Sequence, residues 1–291
     1  QERIPPEIVR SMARLGLLAP VCSEEHGGAG MDWTMAAIAA EELGRADISL
    51  AIPVLYLVEA AWGFVFERYG TPELRAAILP RVTAGQAFLG IATTEPGGGS
   101  DILGACRTKA VPQDDAWVIN GEKMYISGVR ESLAMGGVLL LLARTNPDPA
   151  AEHRAFTFFA LPLQGTPGIS PTYFEDMGRM GISTGGFALQ NVRLPAAHVV
   201  GEMDRGFYYA MEGFSAARVL IGATCVGASE AALEMGMRHI QERHAFGRPL
   251  SAHQGISFPL ADRYADLEST RLLVYKAAWT MDQKYGPATR S

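Results

Sequence analysis

The chain has 291 residues, 48% of them apolar and 19% charged, with a formal net charge of -6. A chain of this length buries a sizeable core without cross-links, and its acidic balance excludes the basic excess that attracts nucleic acid. The three cysteines, Cys22, Cys106 and Cys225, are odd in number and lack CxxC spacing, so a reducing, cytoplasmic compartment is expected and neither a disulfide framework nor a metal site is.

Residues 5–81 carry a helical pattern. Ile8, Met12, Leu15 and Leu18 recur at helical spacing before the loop Glu24-Glu25-His26-Gly27-Gly28. Asp32 is the expected N-cap of a helix over residues 35–43, and a third helix is expected over residues 49–69. Thr71 and Pro72 are the expected N-cap and first position of a fourth. The longest apolar stretch, residues 48–66, is interrupted by Pro53, Glu59 and Gly63. It does not supply the roughly 20 uninterrupted apolar residues of a membrane span.

From residue 86 to about 200 the period becomes extended. Strands are expected over residues 88–93, 107–112, 117–119, 121–127, 137–144, 155–161 and 186–192, with Asn120-Gly121 as a turn. Short strands joined by turns imply a small antiparallel barrel or sandwich. The stretch Thr93-Thr94-Glu95-Pro96-Gly97-Gly98-Gly99-Ser100-Asp101 opens this region. Its glycines can turn several backbone N–H groups to one side as a cradle for a phosphate or pyrophosphate; a plain surface loop between two strands is the competing reading. No GxGxxG pattern is present, which disfavours a dinucleotide-binding parallel sheet. Helical periodicity returns after Asp204-Arg205-Gly206 and runs to Arg243, and a last helix is expected from about residue 253 to 284. Two long helices joined by a short loop cannot bury both faces alone, so further helices or another subunit are needed.

The fold class expected is α+β: an N-terminal helical domain (1–85), a middle antiparallel β-barrel domain (86–200) and an incomplete C-terminal helical domain (201–291). This order, with residues 94–101, Asn120-Gly121-Glu122-Lys123-Met124-Tyr125-Ile126-Ser127, Met177-Gly178, Asn191-Val192-Arg193-Leu194-Pro195, Glu242-Arg243-His244-Ala245-Phe246-Gly247 and His253-Gln254, resembles the acyl-CoA dehydrogenase family of flavoproteins. The likeness covers nearly the whole chain. It implies FAD between the β domain and the C-terminal helices, and oxidation of an acyl-CoA to its trans-2-enoyl-CoA, a step of fatty acid metabolism. Electrons would pass to an electron-transfer flavoprotein.

By the same resemblance Thr93 and Thr94 fall at the flavin pyrimidine edge, and Gly99 and Ser100 at the FAD pyrophosphate. Tyr125 stands where many members carry tryptophan beside the isoalloxazine, and Ser127 falls at flavin N5. Arg243, Phe246 and Gln254 fall where the family contacts the FAD of a neighbouring subunit, which implies a homodimer or homotetramer. Acyl-CoA is expected near Ser100, Thr184, Phe214, Ser215 and Arg218. Ile182 replaces a frequent serine and Ser215 a common aspartate, two departures from the family's pattern at the CoA contacts. The family's glutamate base has one position early in the long helix, and there this chain has Ala217, which cannot take a proton. Glu212 is out of register, and His239 and His244 lack an HExxH pattern and are expected on the helix surface. No catalytic residue is therefore expected in this chain, and the base is expected beyond Ser291. The location implied is cytoplasmic, or the mitochondrial matrix in a eukaryote. A flavin-dependent oxidase or monooxygenase on the same fold, and a non-catalytic acyl-CoA or FAD-binding relative, are the alternatives.

Overall fold

A computed structural model describes residues 3–286. The first helices are α1 (Pro6–Arg14), α2 (Trp33–Ala46), α3 (Ala51–Tyr69) and α4 (Pro72–Thr83). Next come β1 (Phe88–Ala92), the single-turn α5 (Ile102–Ala105), β2 (Lys109–Gln113), β3 (Ala116–Ser127), α6 (Val129–Met135), β4 (Gly137–Arg144), β5 (Phe156–Leu161), β6 (Ile169–Phe174), β7 (Thr184–Pro195) and β8 (Val199–Val200). The long α7 (Gly206–Glu242) follows, then the two-residue strands β9 (His244–Ala245) and β10 (Arg248–Pro249), and α8 (Gln254–Tyr285).

Two compact units emerge: residues 1–30 with 55–217, and residues 31–54 with 218–291. In the first unit eight strands form one sheet in the order β6-β7-β3-β2-β4-β5-β8, with β1 beside β4. This corrects the expected barrel, because the path is open and β6 and β8 do not pair with each other. It also corrects the expected antiparallel sheet: β1 and β2 both pair with β4 in parallel, joined to it by crossovers rather than hairpins. The buried run Leu139-Leu140-Leu141-Leu142 on β4 suits such a site, since a strand covered on both faces needs no polar alternation. Burying each of these leucines contributes about 1.5–3 kcal/mol.

The pair Asn120-Gly121 is not a turn, which corrects the sequence expectation. Residues 116–127 form one strand, and the pairing with β7 shifts register between Ile119 and Gly121. Gly121 has φ 155°, and a Cβ there would stand 2.6 Å from Thr108 Cα. The glycine thus serves as a bulge at a close backbone approach rather than as a reversal. The strand β6 was absent from the sequence expectation because it is exposed along most of its length and contains Pro171, signals that read as loop. α1 is also shorter than its apolar spacing implied, since it ends at Arg14 and leaves Leu15 exposed while Leu18 is buried beyond it.

α3 buries Tyr56, Val65 and Phe66, and with them Glu59 at 3% exposure. Among the described residues Glu59 Oε2 has no hydrogen-bond partner, and the residue lines a cavity of about 290 Å³ with Val9, Leu55, Phe88 and Ile182. Burial raises its pKa well above the usual 4.5. A carboxyl whose folded pKa is raised adds stability below its unfolded pKa and loses it as pH rises through the folded value. Glu59→Gln is therefore expected to remain stable as pH rises while the unaltered protein weakens, by roughly 1–3 kcal/mol once Glu59 ionises. Urea unfolding across pH 5 to 9 measures this, and parallel curves would contradict it.

In the second unit Asp32 caps α2, accepting from Met35 N at 2.7 Å as the sequence predicts. Asp282 on α8 also accepts from Thr34 N at 3.1 Å, placing a second carboxylate at the positive end of α2. Arg271 on α8 joins Glu41 of α2 and Glu230 of α7, each at 2.8 Å, and also Glu268. Tyr275 donates to Glu41 at 2.7 Å. Gly222 of α7 faces Val274 of α8, the close approach its small residues allow. Phe258, Tyr264, Leu272, Leu273 and Trp279 of α8 are exposed. By length and composition α7 alone qualifies as a membrane span among the described helices, with a best 18-residue window of mean hydropathy 1.3.

Candidate functional site

A buried ion pair organises the glycine loop of the first unit. Lys123, fully buried on β3, donates from Nζ to Glu95 Oε1 at 2.8 Å and to the Thr93 carbonyl at 3.1 Å. Glu95 Oε1 also accepts from Thr108 N at 3.0 Å and from Cys106 Sγ at 3.2 Å, while Oε2 accepts from Arg107 N. Burial alone would raise the Glu95 pKa, but Lys123 and these donors outweigh it and the net shift is downward. Burial pushes the neighbouring Cys106 thiol up to about 11, with the Glu95 charge adding to the effect. A further backbone bond, Met124 N to Thr94 O at 3.0 Å, stitches the loop to β3.

From this anchor the loop turns outward. Glu95 and Gly98 exchange backbone hydrogen bonds, closing Glu95-Pro96-Gly97-Gly98 as a tight turn. Gly98 has φ 154°, and a Cβ there would lie 3.1 Å from Ala105 Cβ. Thr93 is buried, Thr94 is half-buried, and Gly99 and Ser100 are exposed. The tip therefore offers backbone groups and a hydroxyl to solvent while its base is locked. Asp101 caps the following single turn by accepting from Gly104 N at 2.9 Å.

Tyr125 lies two residues beyond Lys123, at the second register shift of β3, with φ 58° and its side chain 65% exposed. A bulky residue held at positive φ costs on the order of 1–3 kcal/mol, and such positions concentrate at ligand sites. The ring is 5.4 Å from that of Phe174. Ser127 ends β3 opposite Thr184, the first residue of β7. The structure thus brings Thr93, Thr94 and Lys123 together and sets Ser127 beside Thr184.

The remaining residues predicted from sequence divide between the units. Phe214 and Ser215 are on the part of α7 within the first unit. Phe214 meets Trp62 edge-on at 5.3 Å, and the exposed Ser215 donates back to Met211 O at 2.8 Å. Glu212 accepts from Tyr69 OH at 2.7 Å and lies 3.9 Å from Arg68 Nε. Arg218, Arg243, Phe246 and Gln254 belong to the second unit and are all exposed. Arg243 N donates to His239 O at the end of α7, and Phe246-Gly247 forms the tip of the β9-β10 hairpin, with φ 53° and 77°. Phe246 is 96% exposed there, its ring 6.1 Å from that of His253. His244 stands on β9, a correction to its expected place on the helix surface. Ile182 is buried at 1% exposure, so its departure from the usual serine is a packing residue here.

Sequence reasoning quoted Glu95 and Lys123 within motifs but gave them no role, since a contact spanning 28 residues leaves no local signal. It also passed over Arg179 and Asp176, which flank Met177-Gly178 and meet Ser127 and Thr184 through their side chains.

Residues 1–86, 90–192 and 204–290 match, respectively, the N-terminal, middle and C-terminal domains of acyl-CoA dehydrogenase. The chain is 36% identical over 274 residues to cyclohex-1-ene-1-carbonyl-CoA dehydrogenase of Syntrophus aciditrophicus (strain SB), covering 94% of this chain and 64% of that protein. It is 33% identical over 279 residues to a probable acyl-CoA dehydrogenase of Bacillus subtilis (strain 168), covering 96% and 71%. A glutaryl-CoA dehydrogenase from Mycobacterium smegmatis, solved in complex with FADH2, superposes with a TM-score of 0.86 at 26% identity, over 98% of this chain and 70% of that one. The chain spans about two thirds of the length of the curated relatives it matches.

Proposed function

Because this chain belongs to the acyl-CoA dehydrogenase family, we propose that it serves FAD-dependent α,β-dehydrogenation of an acyl-CoA thioester to the trans-2-enoyl-CoA, with an electron-transfer flavoprotein as electron acceptor. The protein works as a homodimer or homotetramer in the cytoplasm, or in the matrix if the source is eukaryotic. The observation that carries the reading is the glycine loop: its base is fixed by the buried Glu95–Lys123 pair and its exposed tip stands at Gly99 and Ser100.

The donor set fits FAD. Gly99 and Ser100 present backbone N–H groups and a hydroxyl to the pyrophosphate, a chemistry suited to an anion. Thr93 and Thr94 hold the pyrimidine edge of the flavin. The exposed Tyr125 ring supplies an aromatic wall, and Ser127 offers a hydroxyl to N5. When bound, FAD accepts the hydride leaving the substrate β-carbon. Arg243, Phe246 and Gln254 reach the FAD of a neighbouring subunit, a role that the full exposure of Phe246 on its strained hairpin tip supports. The exposed apolar residues of α8 support the oligomer. Ser100, Thr184, Phe214 and Ser215 of the first unit are the proposed acyl-CoA contacts, and Arg218 is proposed as a further CoA contact by the family resemblance.

A carboxylate must remove the α-proton, and its desolvation must raise its pKa toward that of the thioester. Glu212 is committed to Tyr69 and Arg68, and Ala217 has no proton acceptor. We place the base outside residues 1–291. Anaerobic addition of a panel of acyl-CoAs to the native FAD-loaded protein is expected to bleach the flavin, while residues 1–291 with FAD are not bleached. A native flavoprotein that no acyl-CoA bleaches would overturn the dehydrogenase reading. Bleaching of residues 1–291 would return the base to this chain.

A further inference from the structure

We infer that Arg179 is a positioning residue that fixes the hydroxyl of Ser127 as a one-directional hydrogen-bond donor. Arg179 lies between β6 and β7 at φ 45°, in the left-handed region that an arginine seldom occupies. Its guanidinium forks across the end of the β3-β7 pair, from Nη1 to Ser127 Oγ at 3.1 Å and from Nη2 to Thr184 Oγ1 at 2.8 Å. A guanidinium only donates, so both hydroxyl oxygens accept from it.

The two hydroxyls then differ in where their own hydrogens go. Thr184 Oγ1 donates to Asp176 Oδ2 and is satisfied. Among the described residues Ser127 Oγ has no such acceptor. With one lone pair taken by a cation, its hydrogen points away from Arg179, and the charge-assisted bond strengthens it as a donor. A hydroxyl held this way suits an unprotonated ring nitrogen and disfavours an N–H group.

This inference rests on the FAD reading, in which Ser127 faces flavin N5. Arg179 acts through Ser127 rather than by touching the flavin, and Asp176 completes the arrangement by holding Thr184 in place as the other arm of the fork. The chain's departure from a plain strand-end serine is thus an arginine recruited from the neighbouring connection.

A double-mutant cycle on FAD affinity tests this. Apo-protein is titrated with FAD and followed by quenching of flavin fluorescence, with thermal unfolding of each apo-variant as the check on folding. Arg179→Gln is expected to weaken FAD binding about tenfold, the effect of one charge-assisted hydrogen bond. Arg179→Lys should behave similarly, since an ammonium cannot bridge both hydroxyls in a planar fork. In a Ser127→Ala background Arg179→Gln should change affinity by less than roughly twofold, because the partner through which it acts is gone. The flavin absorption band should shift alike in Arg179→Gln and Ser127→Ala. An equal loss in both backgrounds, or no loss in either, overturns the role of Arg179 while leaving FAD binding standing. Unaltered protein that takes up no FAD overturns the FAD reading and this inference together.

Discussion

Lys123→Met is expected to lower stability by about 3–5 kcal/mol and to abolish ordered presentation of the glycine loop. Lys123 is fully buried and its only anionic partner among the described residues, Glu95, is 5% exposed, so removing the cation leaves an uncompensated carboxylate in the core. The pH dependence reverses as well. In the unaltered protein the Glu95 pKa is lowered, so its contribution is present above the usual 4.5 and is lost as pH falls. In Lys123→Met the buried carboxylate favours its protonated form, so the variant gains stability as pH falls toward the usual 4.5, above the range in which the unaltered protein loses it. Combining Glu95→Gln with Lys123→Met should recover about half of the loss or more, because the amide oxygen still accepts from Thr108 N while the charge is gone. Denaturant unfolding at two pH values decides this, and a Lys123→Met protein as stable as its parent at pH 7 would contradict it.

Arg271→Met is expected to cost about 2–3 kcal/mol in the second unit. The guanidinium joins Glu41, Glu230 and Glu268, and without it three carboxylates face one another across α2, α7 and α8. The figure lies below that for a fully buried pair because the Glu230 and Glu268 side chains are 33% and 43% exposed and water screens them. Burial alone would depress the Arg271 pKa, but the three carboxylates raise it instead, so the cation persists across any working pH. Hydrogen exchange should accelerate in α2 and α8 of the variant while β3 and β4 keep their protection. Unchanged exchange in α2 would show that Glu41 finds another partner.

Local signals in the sequence placed the helices and most of the strands. Asp32 and Thr71 as N-caps, Pro72 at the first turn, and the apolar runs of β4 and β5 each announce their element through nearby chemistry. Sheet order was not legible, because an apolar strand does not state its neighbour or its direction; β1 and β4 pair in parallel across 49 residues of register offset, Phe88 with Gly137. The same holds for the bulge at Gly121, since Asn-Gly is a hairpin signal unless a distant backbone such as Thr108 occupies the space beside it. At the candidate site, the family resemblance singled out Thr93, Ser100, Tyr125 and Ser127 because they stand inside contiguous motifs. Those that act by long-range pairing were not singled out: Lys123 reaching Glu95, and Arg179 reaching Ser127 across 52 positions.

The central claim is that the locked glycine loop, Tyr125 and Ser127 form one face for a flavin. Calorimetric titration of FAD into the apo-protein tests it most directly. One FAD per chain is expected to bind to the unaltered protein, with Ser127→Ala weakened and Lys123→Met failing to bind. Stoichiometric binding that survives Lys123→Met and Ser127→Ala unchanged would contradict the claim.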